Sequence, residues 1–389
     1  MARLLLLSNG HGEDLSGALL GRALSEQGHD VQALPLVGQG NPYRTAGIPL
    51  LGRTREYSTG GIGYTSLRGR LTELMQGQLL HLLEQLLRLL RRAHRFDLIV
   101  VVGDVIPVIA SWLCRRPAVT YLVAYSSHYE GRLRLPWPCG ELLATRRFLA
   151  VFSRDQLTAD DLSQQLRRPV RFLGNPFMDP VLTPVPPLPA ATQRIGLLPG
   201  SRRPELEENL RLLLAVAEQL PVSEELSLDL ALVPSLGADD LGQLAAAAGW
   251  QQSGDRLLHR RGSTVHVRRD AFQALLQSSD LLICMAGTAA EQAVGLGRPV
   301  LQLPGRGPQF TAAFAEAQRR LLGPTVFCAP GEAASQDNLQ ASAQLALQLL
   351  ERCRCDPQLQ QQCRQEADRR LGAAGGGRRM AAAISALLP

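Results

Sequence analysis

The chain has 389 residues, of which 45% are hydrophobic, enough to bury two separate cores. Its formal charge of +6 rests on arginine alone, because the sequence contains no lysine, and this excludes a lysine Schiff base or lysine general base. So small an excess suits acidic small molecules or anionic lipid heads and gives no argument for nucleic acid; no zinc finger, RNP-like strand or basic tail accompanies it.

The 7 cysteines lack paired metal spacing. Cys353, Cys355 and Cys363 sit in a Gln-rich helical region and read as reduced thiols, which fits a cytosolic setting. The run Leu4–Leu7 is too short for a secretory signal and reads as a first buried strand, and no apolar run reaches the length of a membrane span.

In chain order, Leu4–Leu7 is followed by a glycine-rich turn at Asn9–Asp14, a helix from about Leu15 to Gln27 and a strand Val31–Pro35. A Leu-rich helix is expected over Leu71–Arg92, then strands at Asp97–Val102, Val119–Ala124 and Phe148–Phe152. Continuous apolar strands separated by helices imply a parallel sheet covered on both faces. The stretch from Pro180 to Pro189 holds prolines at 180, 184, 186, 187 and 189, so it is stiff, extended and unable to join a central strand. Strands at Ile195–Leu198, Leu228–Val233, Leu281–Cys284 and Val300–Leu303 then alternate with helices again. The expected organisation is a Rossmann-like domain over residues 1–180, a proline-rich linker over 181–191, and a second Rossmann-like domain over 192–389. The last helix, Arg378–Leu388, follows a triple-glycine break and is a candidate to pack on the first domain.

Two segments of the second half carry the chemistry. Ile195-Gly-Leu-Leu-Pro-Gly-Ser-Arg202 is an apolar strand, a Gly-Ser turn that lets backbone approach an anion, and a planar arginine donor. Leu282-Ile-Cys-Met-Ala-Gly-Thr288 is a strand and glycine turn opening a helix whose first N–H groups and positive dipole end suit a phosphate. Together they outline a nucleotide-sugar diphosphate held between two strand ends.

Two Rossmann-like domains facing across a cleft, with the nucleotide turns in the second, resemble the GT-B glycosyltransferases. Gly10-His-Gly-Glu-Asp14, Gly174-Asn-Pro176, Leu198-Pro-Gly-Ser-Arg202 with Glu205, and Ala286-Gly-Thr-Ala-Ala290 resemble, in this order along the chain, lipid-A-disaccharide synthase and its related proteins. The resemblance implies an inverting, UDP-sugar-dependent hexosyltransferase with a lipid or lipid-linked acceptor, peripheral at the cytoplasmic face of a membrane. The first turn departs from the family's Gly-Glu-Ala-Ser-Gly-Asp, reading Asn9-Gly-His-Gly-Glu-Asp-Leu-Ser-Gly17. The family glutamate expected to hold ribose hydroxyls falls on Gln292, with Glu291 one position early. No cofactor is expected beyond the UDP-sugar donor substrate, and no Asp-X-Asp cluster stands near the donor turns, which agrees with a metal-independent mechanism. A UDP-sugar 2-epimerase and a noncatalytic nucleotide-sugar binding protein are the alternatives. The sequence says nothing about oligomeric state.

The candidate acceptor-side base is Asp104, at the carboxyl end of the Leu98–Val102 run, with helix capping as its competing reading. His11 and Glu13, in the first turn, are candidates to assist or replace it. On the donor side Gly200, Ser201, Arg202, Gly287 and Thr288 are assigned to the diphosphate. Glu205 is read either as a ligand or as a helix-start charge, Glu291 and Gln292 are assigned to the ribose, and Gln309 to sugar hydroxyls. His128 and Asn175 have plain loop and turn readings beside functional ones. Leu79, Leu82, Leu83, Leu86 and Leu90 form an apolar helical face followed by Arg88, Arg91, Arg92 and Arg95, either an ordinary core helix or a surface for anionic lipid, with Arg132, Arg134 and Trp137 as a second contact.

Overall fold

The computed structural model describes residues 1–52, 54, 78–129, 131–201, 203, 205–304 and 312–388. The chain divides into two compact units, Met1–Asp179 with Gly372–Pro389, and Pro180–Leu371.

The first unit alternates strand and helix: β1 Arg3–Ser8, α1 His11–Glu26, β2 Asp30–Pro35, α2 Asn41–Thr45, α3 Gln78–Arg92, β3 Leu98–Val102, α4 Val105–Leu113, β4 Ala118–Leu122, α5 Cys139–Leu143, β5 Phe148–Ser153, α6 Gln156–Leu166, β6 Val170–Phe172 and α7 Asp179–Leu182 at the junction. The strands pair in parallel in the order β2-β1-β3-β4-β5-β6. Leu4 to Leu7 and Leu98 to Val102 are buried on both faces of the sheet, which is why they read as unbroken apolar runs. The direction of strand addition reverses at β1, with β2 on one side and β3 on the other, so the carboxyl ends of β1 and β3 flank the topological switch point.

Helix α1 begins four residues earlier than the sequence suggests. Gly10, at φ 148° and ψ −177°, precedes the first turn without a side-chain cap, and Asp14 N–H already donates to Gly10 O at 2.6 Å. The stretch His11–Asp14 is therefore helical and not a free turn.

Helix α3 corrects the expected apolar face. Leu82 and Leu86 lean on the core beside fully buried Leu89, whereas Leu83 and Leu90 point outward with Leu80 and Leu87. The expected set mixed two stripes, because leucines on most sides of this helix satisfy more than one 3.6-residue register. Residues 71–77 and the side chain of Leu79 lie outside the described residues.

The second unit runs β7 Gln193–Leu198, α8 Glu205–Gln219, β8 Leu226–Leu232, α9 Ala238–Ala247, β9 Trp250–Ser253, β10 Arg256–His259, β11 Thr264–Arg269, α10 Phe272–Ser278, β12 Leu281–Cys284, α11 Gly287–Gly295, β13 Val300–Gln302, α12 Ala312–Leu322, β14 Val326–Cys328, α13 Gln336–Cys355 and α14 Pro357–Arg370. Its sheet order is β14-β13-β12-β7-β8-β11-β10-β9. The order reverses at β7, between β8 and β12, giving this sheet its own switch point. The β9-β10-β11 edge is antiparallel and went unread in the sequence, because strands as short and polar as Trp250–Ser253 carry little periodic signal.

The proline-rich stretch is fastened to the second unit. Val185 N–H donates to Gln277 Oε1 and Leu188 N–H to Ser278 Oγ, each at 3.2 Å. Arg194 reaches Pro189 O while its Nε lies 2.9 Å from buried Asp229. The final helix, α15 Gly376–Ser385, packs in the first unit against α1. Asp179 fixes its start, accepting from the N–H groups of Gly375, Gly376 and Gly377 at 2.7, 2.9 and 2.8 Å.

Candidate active site

The carboxyl ends of β1 and β3 bring three carboxyl groups together. Glu13 and Asp14 sit in the first turn of α1, and Asp104 follows β3 across Gly103. Asn9 links the two strand ends: its backbone N–H donates to Glu13 Oε2 at 2.7 Å and its amide to Asp104 Oδ2 at 3.1 Å. Gly103 is required here. Its φ is 143°, and an added Cβ would lie 2.6 Å from Glu13 Cδ. The absence of a side chain at Gly103 thus lets the Glu13 carboxyl turn inward although the residue itself is only half-buried.

Asp104 caps α4, accepting from Ile106 N–H through Oδ1 at 2.9 Å, so the capping role is real. Its second oxygen faces Asn9. Tyr125 Oη accepts the neighbouring Val105 N–H at 3.1 Å. Beneath the turn, Tyr43 donates to Ser8 Oγ at 2.9 Å and Ser8 donates to Asp14 Oδ1 at 2.6 Å, while Asp14 Oδ2 is buried without a partner. Gly17 provides the space for Tyr43, whose ring carbon Cζ would lie 2.9 Å from a Cβ there.

Burial pushes the Glu13 carboxyl well above the ordinary carboxylate range, and the nearby Asp104 charge adds to the shift against the opposing Asn9 N–H bond. Asp104 is raised by burial, opposed by its bonds from Ile106 and Asn9. Burial brings Asp14 to about 7, with the Ser8 hydroxyl opposing. A cluster in which carboxyls cannot all ionise together keeps a proton available near neutrality, which is what acid–base chemistry requires. His11 opens α1, and its side chain lies outside the described residues.

In the second unit the turns after β7 and β12 lie side by side. The strands pair in parallel with Leu198 opposite Cys284, and Met285 N–H donates to Leu198 O at 2.8 Å. Gly200 takes φ 97°, and a Cβ there would sit 3.5 Å from Ala286 Cβ, so the two turns leave room between them for no more than a methyl group. Helix α11 opens at Gly287 with Ala286 as an N-cap that makes no side-chain bond, leaving its first N–H groups to solvent or a ligand. Ser201 and Thr288 are exposed; Glu205 is half-buried as the first residue of α8. Glu291 is half-buried, whereas Gln292 is buried on the side of α11 shared with Ala289 and Ala293. Arg202 and Gln309 lie outside the described residues.

Sequence reasoning missed Asn209. This buried residue of α8 donates through Nδ2 to Pro199 O at 2.8 Å and to Met285 O at 3.5 Å, touching the carbonyls of both turns. Only its position one turn into the helix after Pro199-Gly-Ser201 could have signalled it. His128 and Asn175 are each hydrogen-bonded within the first unit. His128 N–H donates to Ser126 Oγ, and Ser126 to Asp155, the cap of α6. Asn175 is buried between Tyr121, which donates to its Oδ1, and Arg154 O, which accepts from its amide. Among the described residues, no group of three His, Cys, Asp or Glu side chains is placed to hold a metal ion.

No protein-family model and no curated protein matches the sequence. Solved structures match along almost the whole chain. The calicheamicin glycosyltransferase CalG4 is 19% identical, covering 99% of this chain and 98% of its own, with a TM-score of 0.61. The spinosyn rhamnosyltransferase SpnG complexed with thymidine diphosphate is 17% identical over 99% of each chain, with a TM-score of 0.56. The UDP-GlcNAc 2-epimerase from Neisseria meningitidis bound to UDP-GlcNAc is 15% identical over 99% of each chain, with a TM-score of 0.55. Likeness at these identities establishes the fold, two Rossmann-like units of the GT-B class.

Proposed function

We propose that the protein is a glycosyltransferase that moves a sugar from a UDP-sugar to a lipid or lipid-linked acceptor, in the manner of lipid-A-disaccharide synthase and its related proteins. The observation that carries this reading is the position of the two polar clusters: each sits at the switch point of its own sheet, where doubly wound folds bind ligands. In the second unit, the N–H groups around Gly200, Ser201, Gly287 and Thr288, with the Arg202 guanidinium, hold the diphosphate and stabilise departing UDP without a metal. Glu205 is a further ligand on the donor side, and Gln309 takes sugar hydroxyls. In the first unit, Asp104 removes the acceptor hydroxyl proton, with Glu13 or His11 assisting. The acceptor oxygen bonds to the anomeric carbon as its bond to UDP breaks, with inversion.

A second reading is kept because solved structures of this fold include a UDP-GlcNAc 2-epimerase, and a cluster of raised carboxyls would also serve proton transfer on the sugar itself. Incubation with a panel of UDP-sugars, with and without a membrane lipid extract, separates the possibilities. Lipid-dependent UDP release supports transfer. Sugar interconversion without lipid supports the epimerase, and binding with neither supports a nucleotide-sugar binding protein.

Glu291, more accessible than Gln292, is assigned to the ribose. Glu291→Ala is expected to reduce the preference for UDP over 2′-deoxy-UDP by about 10–100-fold, the loss of one hydrogen bond to a charged group. Gln292→Ala should leave that preference unchanged. Calorimetric titration with the two ligands checks both, and an unaltered preference in Glu291→Ala removes the assignment.

For the acceptor, the outward stripe of α3 is the proposed attachment surface. Leu80 and Leu83 are 68% and 52% exposed, Leu87 and Leu90 continue the row, and exposed Arg91, Arg92 and Arg95 lie at its carboxyl end. Apolar residues entering the headgroup region beside cations that attract anionic lipid suit peripheral binding at the cytoplasmic face. No helix among the described residues is long and apolar enough to cross a membrane. Co-sedimentation with phosphatidylglycerol vesicles is expected to weaken on raising salt, and to fall at least about tenfold in a variant carrying Leu83→Gln, Leu87→Gln and the three arginines as glutamine. Unchanged binding by that variant excludes this surface.

A further inference from the structure

The two turns of the second unit are joined by one side chain. Asn209 Nδ2 carries two hydrogens, and these meet the carbonyl oxygens of Pro199 and Met285, the residues that immediately follow β7 and β12. The amide is buried, so these carbonyls depend on it in place of water. A trans peptide sets its N–H opposite its C=O. Drawing the Pro199 and Met285 carbonyls toward α8 therefore turns the N–H groups of Gly200 and Ala286 away from α8, one from each turn. The two bonds from one amide, with the Met285 N–H bond to Leu198 O, set the spacing of these donors.

We infer that Asn209 is the positioning residue that makes this site prefer a nucleoside diphosphate to a monophosphate, an inference that rests on the nucleotide-sugar reading of the same site. A single phosphate satisfies one turn and is indifferent to the spacing between them. Two linked phosphates engage both, and their gain depends on the turns being held as one body. Loss of the clamp therefore acts on the second phosphate and not on the first.

Calorimetric titration of the wild type, Asn209→Ala and Asn209→Ser with UDP and UMP tests this. The wild type is expected to favour UDP by about 100-fold, and both variants to lose about tenfold of that ratio, with UMP affinity within about threefold of wild type. A residue that only supports the fold would weaken the two ligands alike, so an unchanged UDP-to-UMP ratio in a folded variant overturns the inference and leaves the nucleotide reading standing. Failure of the wild type to bind either nucleotide overturns both. Hydrogen exchange on the wild type covers the case of unfolded variants. UDP should slow exchange in residues 200–201 and 286–288 with one half-saturating concentration, and protection of a single turn overturns the clamp.

Discussion

Replacing Asp104 by asparagine is expected to lower acceptor-dependent turnover by about 10²–10⁴-fold while UDP affinity stays within about twofold, the signature of a lost general base. Asparagine retains an oxygen for the Ile106 N–H, so the start of α4 stays capped and the change falls on proton transfer. It cannot accept the acceptor's proton. Glu13→Gln makes the informative comparison, because the Glu13 carboxyl is held above the ordinary range partly by the Asp104 charge. With that charge removed, Glu13 should titrate lower in Asp104→Asn, and the acid limb of the rate profile should move with it. The measurements are turnover against pH with a productive lipid acceptor, and UDP titration, for both variants. Near wild-type turnover in Asp104→Asn would return this residue to capping alone.

Asp14→Asn is expected to be less stable than the parent near pH 4 and to gain on it steadily as pH rises to 8. Folded Asp14 keeps its proton up to about pH 7, against an ordinary value of 3.8, because burial disfavours its charge. Between these values the folded state binds more protons than the unfolded state, so stability is full below about 3.8 and falls as pH rises towards 7. At 1.36 kcal/mol per unit the loss is on the order of 4 kcal/mol, and an uncharged asparagine avoids it. Asparagine also brings a second donor hydrogen to a buried site, which costs about 1–3 kcal/mol at every pH, so the test is the pH dependence of the difference. Urea unfolding in a Trp250→Phe background leaves Trp112 and Trp137 as reporters of the first unit. A gap between Asp14→Asn and the parent that stays constant from pH 4 to 8 would show that Asp14 ionises normally.

The strands that matter most were legible because burial on both faces makes them continuous apolar runs. The glycine turn after β7 was legible because Gly200 takes a backbone conformation that other residues rarely adopt. Less was visible where the deciding partner is distant in sequence. Asp104 looked like a base or a cap, and it became a member of a carboxyl cluster only once β1 and β3 were neighbours, 95 residues separating it from Asn9. Asn209 is separated from Met285 by 76 residues, and nothing near it in the chain announces that contact. The start of α1 was misjudged because Gly10 supplies no capping side chain to mark it. On α3 the difficulty was excess of signal, since leucines at 80, 82, 83, 86, 87, 89 and 90 leave the inward stripe to be decided by what packs against it.

The return of Gly372–Pro389 to the first unit sets an order of assembly during synthesis. Residues 180–371 form a body of their own, so the second unit can complete its sheet while the first still lacks a helix. Until then α1 has one flank uncovered, and Asp179 faces no Gly375–Gly377 amides. The residues of α1 are thus among the last to reach their final surroundings. A released chain truncated after residue 371 should carry a folded second unit beside a first unit that is still open to protease.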